Sequence, residues 1–476
     1  MGLLRDWTFV EERTRIPALS EIVREALVRA LFCRDDRVLP REVIAVLSRP
    51  PAVTVKVHDD GEIRKLVAFA NGEETSANLG FSAEDYHYFR KQLSVGRATE
   101  IGFAPRPKTL LTYDWMIPEP RGILLDFSAY AGIEIPDRGE RAVAQVGATW
   151  KAAYDAALAS GHILPFVPAV PLDFAIGDGI WGDAPFVGYD ADFASCVLAL
   201  RTISAYGHRT QVGFQDVSNE GTGYDLLHLI LPHAAEFFIP VAVAVRLLPR
   251  PAARKTLTYR FDDPGKLGLA LDRLTRSGRS AWWANLTDAG ASALLWPGTA
   301  PEPFTLQVAV CGTEAALAGR EKALDALLAG FKAKAADVPN PYDVPEAAYR
   351  KTADRIGRAL FVGEVRLPSR AVPDLHGKLT ALAQQAGTKV HLFAALRGTG
   401  TASAFPAFEA QKDRTRTYDL SKGVDRVAGT IPGALFASRL AHLWREDEEY
   451  VRRVRLLRAL KLEIDAAHVV QPLAAV

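Results

Sequence analysis

The chain has 476 residues, 49% of them hydrophobic and 24% charged, which allows a sizeable core spread over roughly two to four domains. Its 57 Lys plus Arg against 56 Asp plus Glu leave a net charge of +1, which excludes the basic field of a nucleic-acid binder or of a protein held on anionic membranes. Cys33, Cys196 and Cys311 are far apart and form no CxxC pair, so neither a disulfide framework nor a zinc or iron–sulfur site is indicated and a reducing, cytoplasmic setting is expected.

The first 15 residues carry Asp6, Glu11 and Glu12 and lack the apolar run of a signal peptide. Apolar spacing at Ile22, Val23, Ala26, Leu27 and Leu31 predicts an amphipathic helix over 19–32, covering either the first domain or a partner subunit. A strand follows over 51–57, then a helix over 59–71 with Asp59 or Asp60 as its cap and Gly72 as its stop. Beyond a polar insertion over 73–96, strands at 99–103 and 122–127 flank one loop holding Pro105 and Pro107. Next come a strand over 141–146, a helix over 149–160 closed by Gly161, and an extended stretch over 162–167 that enters another loop. Strands at 196–204 and 208–212 flank the Tyr206-Gly207 turn. The most apolar stretches, 226–231 and 237–248, are broken around His233, Glu236 and Pro240, fall short of the roughly 20 residues of a membrane span, and read as a buried strand and a buried helix. Pro249 and Pro251 mark a boundary.

In the second half, strands over 256–261 and 304–311 are followed by helices over 265–275 and 313–335. A strand over 359–366, a helix over 372–386 and a returning strand over 389–395 complete an antiparallel α+β pattern. The chain closes on a charged amphipathic helix over 446–462 whose polar face is solvated.

Several segments carry a resemblance. PAVTV (51–55) with the helix ending in ANG (70–72), RGILLDFS (121–128), VGATW (146–150), the stretch 168–182 with AIGDGI (175–180), and AVRLLP (244–249) are similar, in order and spacing, to the FAD-binding domain of the FAD-linked oxidases of the vanillyl-alcohol oxidase and p-cresol methylhydroxylase group. Residues 360–387 resemble that family's late strand-helix unit, and 449–472 its terminal helix. The resemblance implies an α+β fold: a helical segment over 1–45, a p-cresol methylhydroxylase-type FAD-binding domain over 46–250, a ferredoxin-like α+β cap over 251–445 that holds the substrate, and a helix over 446–476 returning to the first domain. It further implies a dehydrogenase with non-covalent FAD, acting on a CH–OH group of a small hydroxy acid or alcohol and passing electrons to a separate acceptor, such as an iron–sulfur subunit.

Two loops would hold the cofactor. A pyrophosphate needs converging backbone N–H groups, which glycine supplies without a side chain in the way. Family members have a PxGGG-type loop there, whereas this chain has APRPKT (104–109), in which Pro105 and Pro107 lack N–H groups. Arg106 and Lys108, beside Thr109, would then replace amides by charge. In the second loop, Pro168, Ile176, Gly177, Asp178, Gly179, Ile180 and Gly182 would border the ring, with Asp178 an unusual carboxylate beside a flavin. His233 and its neighbours replace the family's glycine-rich turn. His162, His208, His228 and Tyr189 are candidate proton-handling groups, Arg397 a candidate carboxylate grip and His391 a structural strand histidine; none is assigned a catalytic step. No histidine spacing suggests a metal. The replaced glycines keep a second reading open: a flavin-less paralogue acting as scaffold in a redox complex, with Trp115, Trp181 and Phe186 filling the cleft.

Overall fold

The computed structural model describes residues 7–9, 53–71, 101–104, 123–136, 140–168, 175–181, 186–189, 193–213, 225–231, 234–277, 281–297, 303–338, 351, 355, 359–409, 414–438, 444–445, 448–466 and 469–470. The helix expected over 19–32, the insertion over 73–96 and residues 105–109 lie outside them.

The first half builds two main sheets. In the smaller one, Val53–Lys56, Ile123–Asp126 and Ile101–Ala104 run parallel, with Trp7–Phe9 antiparallel on the edge. The helix Asp60–Ala70 follows the first parallel strand. Asp59 Oδ1 accepts from Glu62 N at 3.0 Å at its start, and Ile63, Leu66, Val67 and Ala70 face the core. Arg64 on this helix and Asn71 just after it donate to the carbonyls of Gly207 and Ala205, tying it to the hairpin Val197–Ile203 and Arg209–Gly213 of the second sheet. That sheet is antiparallel and five-stranded, with Ile239–Arg246 between Val197–Ile203 and Arg141–Gln145.

Here the structure corrects the reading of the two most apolar stretches. Leu226–Ile230 is a short helix, capped by Asp225 Oδ1 accepting from His228 N at 3.0 Å, and it leaves Leu226 and Leu229 about half exposed. Ile239–Arg246 is the buried strand, all but its last residue shielded from water. β-Branched residues in a fully covered strand remove the alternation that separates strand from helix.

The second half forms one nine-stranded antiparallel sheet whose main path runs Lys334–Ala336, Ala253–Phe261, Phe304–Gly312, Trp283–Asp288, Val390–Arg397, Thr401–Phe408, Glu364–Pro368, Leu435–Ala437, with Leu360–Phe361 added beside Thr401–Phe408. The helices Pro264–Arg276, Glu314–Ala329, Val372–Gln385 and Arg414–Gly429 bury Leu267, Leu271, Leu324, Leu328, Leu375, Leu379 and Leu420 in a core shared with one face of this sheet. The helix expected over 313–335 stops at Ala329, because Lys332 turns the backbone at φ 58° and Lys334–Ala336 becomes an edge strand against Thr258–Arg260. The strand expected over 359–366 is split at Gly363, φ 127°, where a Cβ would lie 2.6 Å from the Ala437 carbonyl.

The helix Glu448–Ile464 packs Leu457 on Phe237. At its end Lys461 and Asp465, 2% and 0% exposed by side chain, form a 2.7 Å ion pair. No helix among the described residues is long and apolar enough to cross a membrane.

Candidate functional site

The three parallel strands of the small sheet end together at Lys56, Ala104 and Asp126, with Ala104 in register with Asp126. Crevices beyond the carboxyl ends of parallel strands are where such sheets hold ligands. The segment with Pro105, Arg106, Lys108 and Thr109 starts there and lies outside the described residues.

Next to that edge, Gly147 lets two backbones cross. Its N–H donates to Tyr130 O at 2.9 Å, and a Cβ at this position would sit 1.8 Å from Phe127 O. The glycine of VGATW therefore serves chain crossing. Thr149 then caps the helix Trp150–Ala159, accepting from Ala152 N at 3.1 Å. Trp150 stands edge-on to Phe166 and Phe193 at centroid distances of 5.2 and 5.3 Å.

The stretch expected as a glycine-rich loop is in part a helix, Ile176–Trp181, preceded by the bridge Thr149–Ala175. Ile176 N donates to Ala148 O at 2.7 Å and Gly177 N to Val146 O at 2.8 Å, so these two amides are engaged within the protein. Ile176, Gly177 and Ile180 are buried and Gly179 is half-buried, while Asp178 holds a place in the helix backbone. Pro168 pairs with Phe186 in a two-residue ladder, and Gly182 and His233 lie outside the described residues.

The large sheet presents its second face to this region. Phe166 and Ile180 share a hydrophobic core with Trp282, Trp283, Ala309, Ala395, Phe405 and Ala407. At one end of the seam, Tyr154 stacks on Trp282 with centroids 6.1 Å apart, Trp282 Nε1 donates to Leu164 O at 2.8 Å, and Arg254 lies over Trp282 and donates to the Tyr154 hydroxyl. Gly398 N donates to Tyr189 O at 2.9 Å, placing the turn after Arg397 against the first half.

Across the middle of that face runs a row of polar side chains. The register places Thr258 opposite Gln307, Gln307 opposite Asn285, Asn285 opposite Ala395 and Ala395 opposite Ser403. Thr258, Gln307, Asn285 and Ser403 are at most 7% exposed. Gln307 Nε2 donates to Thr258 Oγ1 at 3.2 Å, whereas Ser403 Oγ has no hydrogen-bond partner among the described residues. The sequence reading missed this row because Trp283–Asp288 and Thr401–Phe408 were not identified as strands: each is covered on both faces and shows no alternation.

The other candidates do not gather at the seam. His162 Nδ1 meets the Ser160 carbonyl at 2.8 Å, and His228 has Nδ1 at 2.6 Å from Asp225 and Nε2 at 3.1 Å from Ala194 O, both at the surface. His208 is exposed in its turn, and its backbone N donates to Ser204 Oγ. Tyr189 is buried and donates its hydroxyl to Leu274 O at 3.1 Å. These contacts cap or brace their own segments. His391, expected to be structural, has Nε2 2.9 Å from Glu409 and its ring against Gly290. Burial pushes the Cys311 thiol up to about 11, against the pull of Arg254 and Arg320. Among the described residues no group of three His, Cys, Asp or Glu side chains could hold a metal ion.

A flavin needs a flat, largely apolar slot with polar groups on one side and cations or amides at its phosphates. At the seam Phe166 and Ile180 are packed in one core with Trp283, Ala309 and Ala395, on the sheet face that also carries the polar row. Ile176 and Gly177 provide no free amide for a phosphate, and Arg106 and Lys108 lie outside the described residues.

No protein-family model and no curated protein sequence matches the chain. Solved structures do. Substrate-bound p-cresol methylhydroxylase superposes with a TM-score of 0.65 at 13% identity, covering 92% of both chains. The isoeugenol complex of 4-ethylphenol oxidase from Gulosibacter chungangensis gives 0.64 at 11% identity, covering 89% of this chain and 90% of the other. Alkyldihydroxyacetonephosphate synthase gives 0.60 at 14%, covering 89% and 76%. The α+β fold expected from the sequence is thus the fold this chain has.

Proposed function

We propose, from a fold shared with p-cresol methylhydroxylase over 92% of both chains, that this protein is an FAD-dependent dehydrogenase acting on a CH–OH group of a small alcohol or hydroxy acid. That coverage is the observation carrying the reading. In this assignment residues 46–250 form the FAD-binding domain, 251–445 the cap that covers the substrate, and 446–476 the returning helix. Bound FAD would supply hydride acceptance, with the electrons passing on to a separate acceptor.

The chain's own residues have distinct tasks. Arg106 and Lys108, flanked by Pro105 and Thr109, neutralise the phosphates without the amides a glycine loop would offer. The helix Ile176–Trp181, entered from Pro168 and left through Gly182, sets one wall of the ring slot: Ile176 and Ile180 supply apolar surface, and Gly177 and Gly179 keep it thin. Asp178 stays on the same short helix as a carboxylate to be held away from the phosphates. Binding is non-covalent. The soluble acceptor, in the cytoplasm, is an electron-transfer or iron–sulfur subunit.

One observation favours a second reading. The amides of Ile176 and Gly177 already serve Ala148 and Val146, so a flavin-less relative acting as scaffold beside a competent redox subunit would keep this geometry unchanged. The visible spectrum of protein purified from its native host decides between them. A stoichiometric oxidised-flavin spectrum that bleaches anaerobically with an alcohol or hydroxy acid supports the dehydrogenase; a colourless protein co-eluting with a coloured partner supports the scaffold.

A further inference from the structure

The helix Glu448–Ile464 has two unlike faces. Its buried face carries Leu457, which packs on Phe237, and the Lys461 that pairs with Asp465. On the other side Arg455, Leu456, Ala459, Leu462 and Glu463 are all exposed, Leu456 to 56% and Leu462 to 55%. At 3.6 residues per turn these five positions fall within an arc of about 120°, so they form one stripe along the helix. Single exposed leucines are ordinary on a protein surface, whereas apolar side chains gathered on one face mark a contact site. A second pair of half-exposed leucines, Leu226 and Leu229, stands on the short helix whose Ile230 packs into the same cluster as Leu457. Among the described residues neither Arg455 nor Glu463 has an ion-pair partner, whereas Arg452, a turn earlier, is paired with Glu448.

The stripe is symmetric about Ala459. Leu456 and Leu462 lie three positions to either side of it, and Arg455 and Glu463, of opposite charge, lie four. With a rise of 1.5 Å per residue the leucines are about 9 Å apart along the axis and the charges about 12 Å. A second copy laid antiparallel over the stripe, on a two-fold axis through Ala459, sets Leu456 level with the partner's Leu462 and Arg455 level with the partner's Glu463, each contact occurring twice. The alanine at the centre lets the helices approach to the separation of about 8–10 Å found in close packing. A parallel copy would set Arg455 against its own counterpart, so the charges select one direction. We infer that this stripe is a self-complementary docking face, occupied by a second copy of this chain in antiparallel register about Ala459. One helix face is small against the roughly 600–1,000 Å² per partner of stable dimers, so the dimer is reversible and forms with rising concentration. The inference holds whether or not FAD binds.

The test uses the full chain, with sedimentation velocity from about 1 to 200 µM and a thermal midpoint for each variant. Wild type is expected to pass from monomer to dimer over this range. Arg455→Glu and Glu463→Arg each replace two attractive contacts per dimer by repulsive ones, and each is expected to raise Kd at least about tenfold. Both side chains are exposed, so the midpoint should stay where it was. Mixing the two single variants in equal amounts puts opposite charges back at both contacts and is expected to give a heterodimer near the wild-type Kd, as the double variant should give a homodimer. Leu456→Asp, which places a carboxylate in the apolar part of the stripe, is expected to leave only monomer. A wild type that stays monomeric throughout, or a dimer that none of these changes weakens, overturns the inference. So does a mixture of the two single variants that fails to associate, because the antiparallel register requires it. A monomer that instead binds phosphatidylserine vesicles, and loses that binding with Leu456→Asp, overturns it as well by making a lipid surface the occupant.

Discussion

Removing the carboxylate of Asp465 tests a fully buried cluster of polar contacts. Asp465 is fully buried and accepts three hydrogen bonds: from Lys461 Nζ at 2.7 Å, from Val469 N at 2.9 Å and from Val470 N at 2.9 Å. Lys461 is 2% exposed and also donates to Val470 O at 3.1 Å. Asp465→Ala leaves an ammonium in the interior without its counter-ion and strands two amides, and breaking a buried pair on one side costs about 3–5 kcal/mol. Desolvated amides alone account for about 1–3 kcal/mol each, so the sum is bounded by the pair value rather than added to it. Val469 and Val470 are 0% exposed in the first-half core, so the penalty falls on the turn that returns the chain there. At a factor of ten per 1.4 kcal/mol, local opening should become about 100- to 3,000-fold more frequent. Hydrogen exchange of a peptide covering 457–470 measures this directly, and opening should be insensitive to added salt because buried pairs are little screened. The double variant Lys461→Met with Asp465→Asn should recover much of the loss. Exchange accelerated less than fivefold over wild type in Asp465→Ala would show that the pair does not hold this end of the chain.

Other outcomes follow from the same geometry. Arg106→Glu combined with Lys108→Glu should abolish flavin retention if FAD binds as proposed, read as the ratio of visible to protein absorbance; full occupancy in the variant would show those cations to be merely solvated. Gly147→Ala should give insoluble or unfolded protein, since its Cβ would overlap the Phe127 carbonyl at 1.8 Å, and a soluble variant with native circular dichroism would contradict that crossing. Cys311, its thiol pushed up to about 11 by burial, stays protonated at pH 8 and should react with iodoacetamide about 100-fold more slowly than a thiol at the ordinary value of 9.0; because its folded value is the higher one, its contribution to stability is present below pH 9 and is lost as pH rises toward 11.

Where local chemistry governs a segment, its residues were legible. Asp59, Thr149 and Thr313 each precede a helix and each accepts from the first turn, and Gly161, Gly207 and Gly387 lie in the left-handed region at turns. The sharpest misreading came where burial is complete: Ile239–Arg246 is surrounded and looked helical, while exposed Leu226 and Leu229 looked buried. The seven positions around Gly177 were read as a glycine-rich loop, but the carbonyls of Val146 and Ala148, some 30 positions earlier in the chain, draw the Ile176 and Gly177 amides into a helix start.

The amino-acid sequence by itself determined the α+β class and individual first-half elements such as the strand Arg141–Gln145, the helix Trp150–Ala159 and the hairpin turned at Tyr206-Gly207, because caps, turns and apolar periods act within a few residues. Tertiary structure alone decided that Thr258, Gln307, Asn285 and Ser403 form one row, since they come from four strands that meet only through cross-strand register. It also decided that His162, His208 and His228 stay outside the seam and that Lys461 finds Asp465 in the dark interior. Those outcomes depend on which surfaces are removed from water together, and that is a property of distant segments packing at once, which no local spacing encodes.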